Sequence, residues 1–270
     1  MRHAVLVIVL LFSSVAAAAP NGMIPDFSPG ANSGWRVSDP GPYFQMNSPG
    51  EPKPVGVDPA ISSKVYTGRM FPIVKLDNPN LQSWVVDALR KQNESVLAGQ
   101  PLHSLGSSCW PNSPYSVHEI SALYALHFVQ TAREVVILSQ YDDEPRHILL
   151  NQPHSSNPKP SWQGEAVGYY ENGDTLVVDT IGFGDKVQLD FVHTPHTHNL
   201  HLIERFRLTG DAVEATVRVE DTGAFKAPYE VIRHYRLVQD PLLEVACAES
   251  PDDPLHEGLE PLPQATKPDF

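Results

Sequence analysis

Apolar and polar residues alternate along most of the chain after residue 117, which is the pattern of half-buried β-strands. The alternating segments are Leu123–Thr131, Glu134–Asp142, Pro145–Leu150, Ala166–Glu171, Thr175–Ile181, Leu200–Leu208, Ala212–Glu220, Tyr229–Val238 and Leu242–Ala248. Two of the connections, Asn172-Gly173-Asp174 and Thr209-Gly210-Asp211, have the composition of tight hairpin turns. Successive strands without helices between them predict a mainly β fold, an antiparallel meander that closes into a barrel.

The chain before these strands has a different character. Residues 20–60 hold nine prolines and no hydrophobic period, so we expect a Pro-rich extended arm over residues 20–78. The segment from Pro79 to Gly99 predicts one helix with an apolar stripe. Residues 79–250 would then form one domain of helix and barrel, followed by an acidic, Pro-rich tail over 251–270.

Residues 1–19 are organised as a signal peptide. A short polar start precedes the apolar run Ala4–Phe12, and small residues lead to an Ala-x-Ala pattern that ends at Ala19. The run is about half of the roughly 20 residues that a membrane-spanning helix needs. We therefore expect an exported protein, periplasmic or secreted, whose mature chain does not insert into a membrane. In an oxidising compartment Cys109 and Cys247 could form a disulfide, with two separate thiols as the alternative.

Charge and missing motifs narrow the function. The chain has 19 Lys and Arg against 32 Asp and Glu, a net charge of −13, which argues against nucleic acid as a partner. The sequence contains no phosphate-binding loop, no dinucleotide-binding glycine motif and no G-x-S-x-G nucleophile motif. What remains is cofactor-independent proton transfer, as in a lyase, decarboxylase or isomerase, on a small molecule.

Ionisable residues interrupt several apolar strand faces. Glu204, Arg233 and Asp179 each share a face with apolar neighbours in their predicted strands. A buried charge is costly unless it is paired. Two interpretations stay open: closed structural ion pairs, or a barrel interior with a polar floor that contacts a ligand.

Four histidines lie within nine residues, at His193, His196, His198 and His201. Neutral imidazoles bind zinc or copper, so one interpretation is a metal site. A second is acid–base catalysis, with Glu204 or Asp190 orienting a histidine. A solvated polar loop is the third.

A second cluster runs from Tyr141 to His147 and joins two predicted strands. Its three consecutive acids could form a cation site or a solvated turn. Either Arg146 or His147 must face the interior, and an inward Arg146 would suit a substrate carboxylate.

The stretch from Gly168 to Phe183, together with Pro195-His196 and Leu200–Phe206, resembles a large group of exported, mostly uncharacterised bacterial proteins. Their recurring pattern is G-x-W-E-G-D-T-L-V-V-x-T…P-H-S…L-H-x-x-E-R-F. The resemblance extends from near Pro79 to Glu249 and implies a lipocalin-like barrel, but no reaction. The residues that match are His196, His201, Asp190, Glu204 and Arg205, whereas His193, His198 and Tyr170 depart from the pattern.

Together these features predict a cofactor-independent enzyme. His196 and His201 are the expected acid–base residues, Tyr170 an additional donor, and Asp179 and Glu204 the groups that orient them. The predicted substrate-binding residues are Arg146, Arg205, His147 and Tyr141. The alternatives are a barrel that carries a hydrophobic ligand, a metal-binding protein that uses the four histidines, and a structural envelope protein.

Overall fold

The part of the chain described by the computed structural model contains ten strands and two helices. That part comprises residues 24–28, 30, 32–38, 45–46, 55–56, 58, 73–99, 110–120, 124–139 and 142–243. The helices are α1 (Ser83–Leu97) and α2 (Pro114–Ile120). The strands are β1 (Ser33–Val37), β2 (Gln45–Met46), β3 (Leu126–Gln130), β4 (Glu134–Ser139), β5 (Asp142–Leu150), β6 (Glu165–Glu171), β7 (Thr175–Ile181), β8 (His201–Thr209), β9 (Ala212–Glu220) and β10 (Tyr229–Gln239).

The strands close into a barrel. Nine of them follow the spatial order β1-β3-β4-β5-β6-β7-β8-β9-β10, and β1 pairs with β10 to complete the ring, while β2 adds to the edge of β10. Burial alternates residue by residue along β9 and most of β10, because successive side chains point to opposite faces of the wall. The predicted mainly β barrel is confirmed and is consistent with a lipocalin-like architecture.

One pairing differs from the predicted antiparallel meander. Strands β5 and β6 run parallel, with Ile148 opposite Ala166 and Leu150 opposite Gly168. Parallel neighbours cannot be joined by a tight hairpin and need a crossover. Residues 151–164 form this crossover, which passes outside the barrel and contacts Gly182 and Gly184 through the backbone of Ser161.

The predicted arm contributes a barrel strand. Strand β1 lies within residues 20–78, buries Trp35 and Val37, and pairs along its whole length with β10. At the other end of the chain, residues 240–243 form no strand, and Leu242 and Leu243 are exposed. The barrel therefore closes through β1, not through the predicted ninth strand. The rest of that predicted strand, residues 244–248, lies outside the described residues.

The predicted helix begins later than expected, at Ser83. Leu81 is held in a β-bridge with Phe225, so the helix cannot start at Pro79. Its buried apolar stripe contains Val85, Leu89 and Val96, and of these Val85 and Leu89 pack against one end of the barrel. The sequence did not predict α2, which places Tyr115 and His118 in the core. In the described residues, neither helix has the length and apolarity needed to cross a membrane.

Several predictions lie outside the described residues. These are the signal peptide over 1–19, the tail over 251–270, Tyr141, and the cysteine pair Cys109 and Cys247.

Candidate functional site

Five side chains form a buried cluster on the inner face of the barrel: His118, Arg146, Thr180, Glu204 and Tyr235. Arg146 donates from Nη1 to Glu204 Oε1 at 2.9 Å, makes a second close contact from Nη2 to Oε2, and donates from Nη2 to Thr180 Oγ1 at 2.9 Å. His118 Nε2 donates to Glu204 Oε1 at 2.9 Å, and its Nδ1 lies 2.5 Å from the Tyr235 hydroxyl. The cluster joins α2 to four strands.

The charge state of this cluster follows from its contacts. Burial alone would raise the pKa of Glu204, but the charge of Arg146 and the hydrogen bond from His118 outweigh it and lower that pKa to about 2. Glu204 is therefore an ionised carboxylate that accepts a hydrogen bond from His118 Nε2. The other ring nitrogen of His118, Nδ1, is hydrogen-bonded to the Tyr235 hydroxyl.

The space beside the buried cluster is small. A cavity of about 20 Å³ is bordered by α2 and by the inner face of the barrel, with Arg146 and Glu204 in its wall. That volume has room for about one water molecule, far less than the roughly 300 Å³ of a small ligand pocket. Of the two alternatives that the sequence left open, Arg146 is the residue that faces inward, whereas His147 lies on the outer face. However, both terminal nitrogens of Arg146 are hydrogen-bonded to Glu204 or Thr180. Arg146 and Glu204 therefore have the geometry of a closed structural ion pair, the first of the two interpretations of the buried charges.

A second group of polar side chains, the surface cluster, lies on the outer face of the same wall: His154, Glu165, Asp179, His201 and Glu220. Asp179 Oδ1 accepts from His154 Nε2 at 2.8 Å and from His201 Nε2 at 2.9 Å. The other ring nitrogen of His154 lies 3.0 Å from Glu165, and that of His201 lies 3.5 Å from Glu220. Two imidazoles thus share one carboxylate oxygen.

The strand pattern explains how the surface cluster is assembled. Asp179 occupies an outward position in β7, and His201 and Glu220 are direct cross-strand partners in β8 and β9. His154 belongs to the crossover, where Ser155 donates to both oxygens of Glu165 at 2.7 Å. The parallel pairing of β5 and β6 is therefore what brings His154 over the wall.

The surface cluster separates charge, because its contacts favour an ionised Asp179 and a protonated His201. The hydrogen bond to Asp179 raises the pKa of His201 more than burial lowers it. Burial would raise the pKa of Asp179, but the hydrogen bonds from His201 and His154 outweigh it and leave that pKa below its usual value. Hydrogen bonds from the Ser155 side chain and backbone lower the pKa of Glu165. The cluster is half-buried, so its charged groups remain in contact with water.

The four clustered histidines do not converge. His201 is in the surface cluster, whereas His196 directs its ring nitrogens at the backbone carbonyls of Val187 and Thr197, at 2.8 and 3.0 Å. His198 is exposed, and His193 is half-buried at a φ of 57° with a pKa lowered by burial to about 4. Across the described residues, no set of three or more His, Cys, Asp or Glu side chains has the geometry to hold a metal ion.

Asp190 does not orient a histidine through its side chain. It is buried and accepts from the backbone and hydroxyl of Thr194, at 2.8 and 2.6 Å. This contact braces the loop that carries His193.

The remaining predicted site residues are dispersed. The Tyr170 hydroxyl accepts from Gln130 Nε2 at 2.8 Å, and burial raises its pKa. Arg205 and His147 lie on the outer face, where they approach Glu171 at 3.7 Å and Glu134 at 2.5 Å, respectively.

Six residues of the two clusters were not among the predicted site residues. Four of them lie on strands, namely Thr180, Tyr235, Glu165 and Glu220, and the other two are His118 and His154. Both lie outside the strands, so strand alternation could not assign them to a face. His154 sits in a segment with several prolines between two strands, too long for a hairpin, which was a signal that the chain crosses the sheet there.

Fold and site together define a closed β-barrel protein with one buried and one partly exposed cluster of charged side chains. A comparison with protein-family models found no matching family, and comparisons with curated proteins and with solved structures found no match. The resemblance to exported bacterial proteins therefore stays a prediction.

Proposed function

We propose that the protein is a cofactor-independent acid–base catalyst that acts on a small molecule at the surface cluster. The observation that carries the proposal is the shared oxygen of Asp179, which accepts hydrogen bonds from both His201 and His154. A carboxylate that orients an imidazole with a raised pKa provides a group that can deliver a proton and then accept one. Shifted pKa values in a half-buried group of this kind favour a functional role.

The roles follow from the contacts. Asp179 stays ionised and orients both rings through their Nε2 protons. His201, whose pKa is raised, is the general acid that delivers a proton, and once deprotonated it can take a proton back as the base. His154, whose Nδ1 faces the Glu165 carboxylate 3.0 Å away, is a positioning residue for Asp179. Lyase, decarboxylase and isomerase reactions all require such a transfer. The proposed substrate-binding face is the outside of the barrel wall, because the buried cluster has no space for a substrate.

Proton exchange tests this proposal without knowledge of the natural substrate. Pyruvate, acetoacetate and dihydroxyacetone are incubated with the protein in D₂O, and loss of the exchangeable C–H signals or decarboxylation is followed by proton NMR. We expect at least one probe to react faster with protein than in buffer. The rate should fall by about 100-fold or more in His201→Asn and in Asp179→Asn.

His198→Asn is the matched control, since His198 is exposed and lies outside the surface cluster. It should retain the full rate. No acceleration with any probe, or an unchanged rate in the Asp179→Asn protein, would contradict the proposal.

We further propose that the protein is exported and carries a disulfide between Cys109 and Cys247, on the basis of the sequence alone. N-terminal sequencing of the expressed protein should find Pro20 first. Thiol titration in denaturant without reductant should find no free thiol. A retained Met1, or two titratable thiols, would refute the respective part.

A further inference from the structure

A groove on the outside of the barrel has the size of a ligand site. Its volume is about 490 Å³, within the range of about 300–1,000 Å³ that is usual for small-molecule sites. It lies between residues 26–28, 30 and 33 on one side and strands β3 and β4 on the other, far from the surface cluster in the strand order. Described residues on its wall include Asp26, Ser28, His127, Val129, Leu138 and Leu242.

The groove exists because the barrel seam is incomplete there. Strands β1 and β3 share a single residue pair, Trp35 and Leu126. Beyond that pair, residues 24–28 run beside β3 and are attached mainly through side chains: the Ser28 hydroxyl donates to the Phe128 carbonyl, and Gln130 bonds the Phe27 and Pro25 backbones. The seam leaves a gap where a full strand ladder would have none.

The side chains that the groove exposes to solvent include large apolar ones. Val129 and Leu242, both on its wall, are 48% and 43% exposed. Among the polar side chains of the wall, Gln130 and Ser33 have partners inside the protein, whereas the buried Nε2 of His127 has no hydrogen-bond partner among the described residues. Gln130 is hydrogen-bonded to the backbones of Phe27 and Pro25, and the Ser33 hydroxyl accepts a hydrogen bond from Gln239 Nε2 at 3.0 Å. A ligand therefore gains from burying apolar surface and needs few hydrogen bonds.

The charge of the groove selects among apolar ligands. Among the described residues of the wall, Asp26 is the one with a formal charge; it is exposed and accepts from the Ser28 backbone through Oδ1. Burial lowers the pKa of His127, against the opposing effects of Asp240 and the Ser33 backbone, which favours the neutral form of this ring. The chain as a whole carries −13. An anionic ligand would be repelled and a cationic one attracted.

We propose that this groove binds a small apolar molecule that carries a cationic group, such as an arylalkyl or alkyl amine. The ring or chain occupies the cleft beside Val129 and Leu242, and the ammonium group lies next to Asp26. The inference goes beyond the catalytic proposal and does not depend on it, because the two sites share no residue.

Two probes of equal ring size and opposite charge test the inference. Binding of 1-naphthylmethylammonium and of 1-naphthoate to the full chain is measured by fluorescence and by NMR line broadening. We expect the ammonium to bind with a Kd of about 1 mM or lower and the carboxylate about 10-fold more weakly. Asp26→Asn should abolish this preference but keep naphthyl binding.

Variants within the groove locate the site. Val129→Lys and Leu242→Lys should each weaken ammonium binding about 10-fold, because each adds a cation to the wall. Leu149→Lys is the matched control, as Leu149 is 41% exposed on the barrel but not on the groove wall. Equal or tighter binding of the carboxylate, no binding of either probe, or equal effects of all three lysine variants would overturn the proposal.

Discussion

Asp179 and Thr180 are consecutive in β7, yet their side chains belong to two different clusters on opposite faces of the barrel wall. Asp179 accepts from His154 and His201 outside, and Thr180 accepts from Arg146 inside. Strand β8 is divided in the same way, with His201 outside and Glu204 inside. Because side chains alternate along a strand, the two clusters lie back to back. A substitution can therefore remove a side chain of one cluster without changing the side chains of the other.

Removal of Arg146 should destabilise the fold strongly. Arg146→Met would leave the Glu204 carboxylate buried without its main counter-charge, at a cost of about 3–5 kcal/mol in the free energy of unfolding. Urea denaturation measures this loss. Arg205→Met is the control, because Arg205 is an exposed arginine and its ion pair with Glu171 should contribute about 0–1 kcal/mol. Similar losses in both variants would show that the buried pair has no special role.

Gly168 should not tolerate a side chain. A Cβ there would lie 2.8 Å from the Val177 carbonyl oxygen and 2.9 Å from the side chain of Ile148, at the parallel pairing of β5 and β6. Gly168→Ala should therefore cost about 1–3 kcal/mol of stability by urea denaturation. At Gly184 the nearest atom to a Cβ is 3.6 Å away, so Gly184→Ala should be neutral or slightly stabilising. The reverse order of the two variants would contradict the close approach.

Asp190 should be needed for the loop that carries the clustered histidines. Asp190→Ala would leave the buried backbone N–H and the hydroxyl of Thr194 without their acceptor, which should lower the free energy of unfolding by about 1–3 kcal/mol. Asp185→Ala is the comparison, since Asp185 is exposed in the same loop. If Asp190→Ala were no more destabilising than Asp185→Ala, the bracing role would be wrong.

The period of the strands allowed much of the inner face to be predicted. Glu204 and Arg233 share the inward face of their strands with the apolar neighbours that alternation gave them. Between Arg146 and His147, which alternation left open, Arg146 is the inward residue. Asp179 was assigned to an apolar face that turned out to be the outer one. Val177 on that face is buried although it points outward, beside its cross-strand partners Tyr169 and Arg205, so apolar character did not mark the interior.

Contacts between distant segments could not be derived from local pattern. Strand β1 has five residues in a proline-rich region, and its role depends on pairing with β10 at the far end of the chain. His118 and His154 reach their carboxylate partners from a short helix and a crossover. Such partners are set by the global topology: the length of the segment around His154 indicated a crossover, but no local pattern indicated which carboxylate it would reach.

The stability contributed by the surface cluster should depend on pH in a defined window. The folded-state pKa of His201 is raised above 6.5, so its contribution is fully present below pH 6.5 and is lost as the pH rises through the raised value. The pKa values of Asp179 and Glu165 are lowered from 3.8 and 4.5, so their contributions are present above those values and are lost as the pH falls through the lowered ones. The difference in unfolding free energy between wild type and Asp179→Asn, measured in urea at successive pH values, should therefore be greatest between these limits. Taking the difference cancels groups remote from Asp179, which titrate in both proteins. A difference that stays constant as the pH rises well past 6.5 would mean that His201 does not hold its proton through Asp179, and would remove the charge separation on which the catalytic proposal depends.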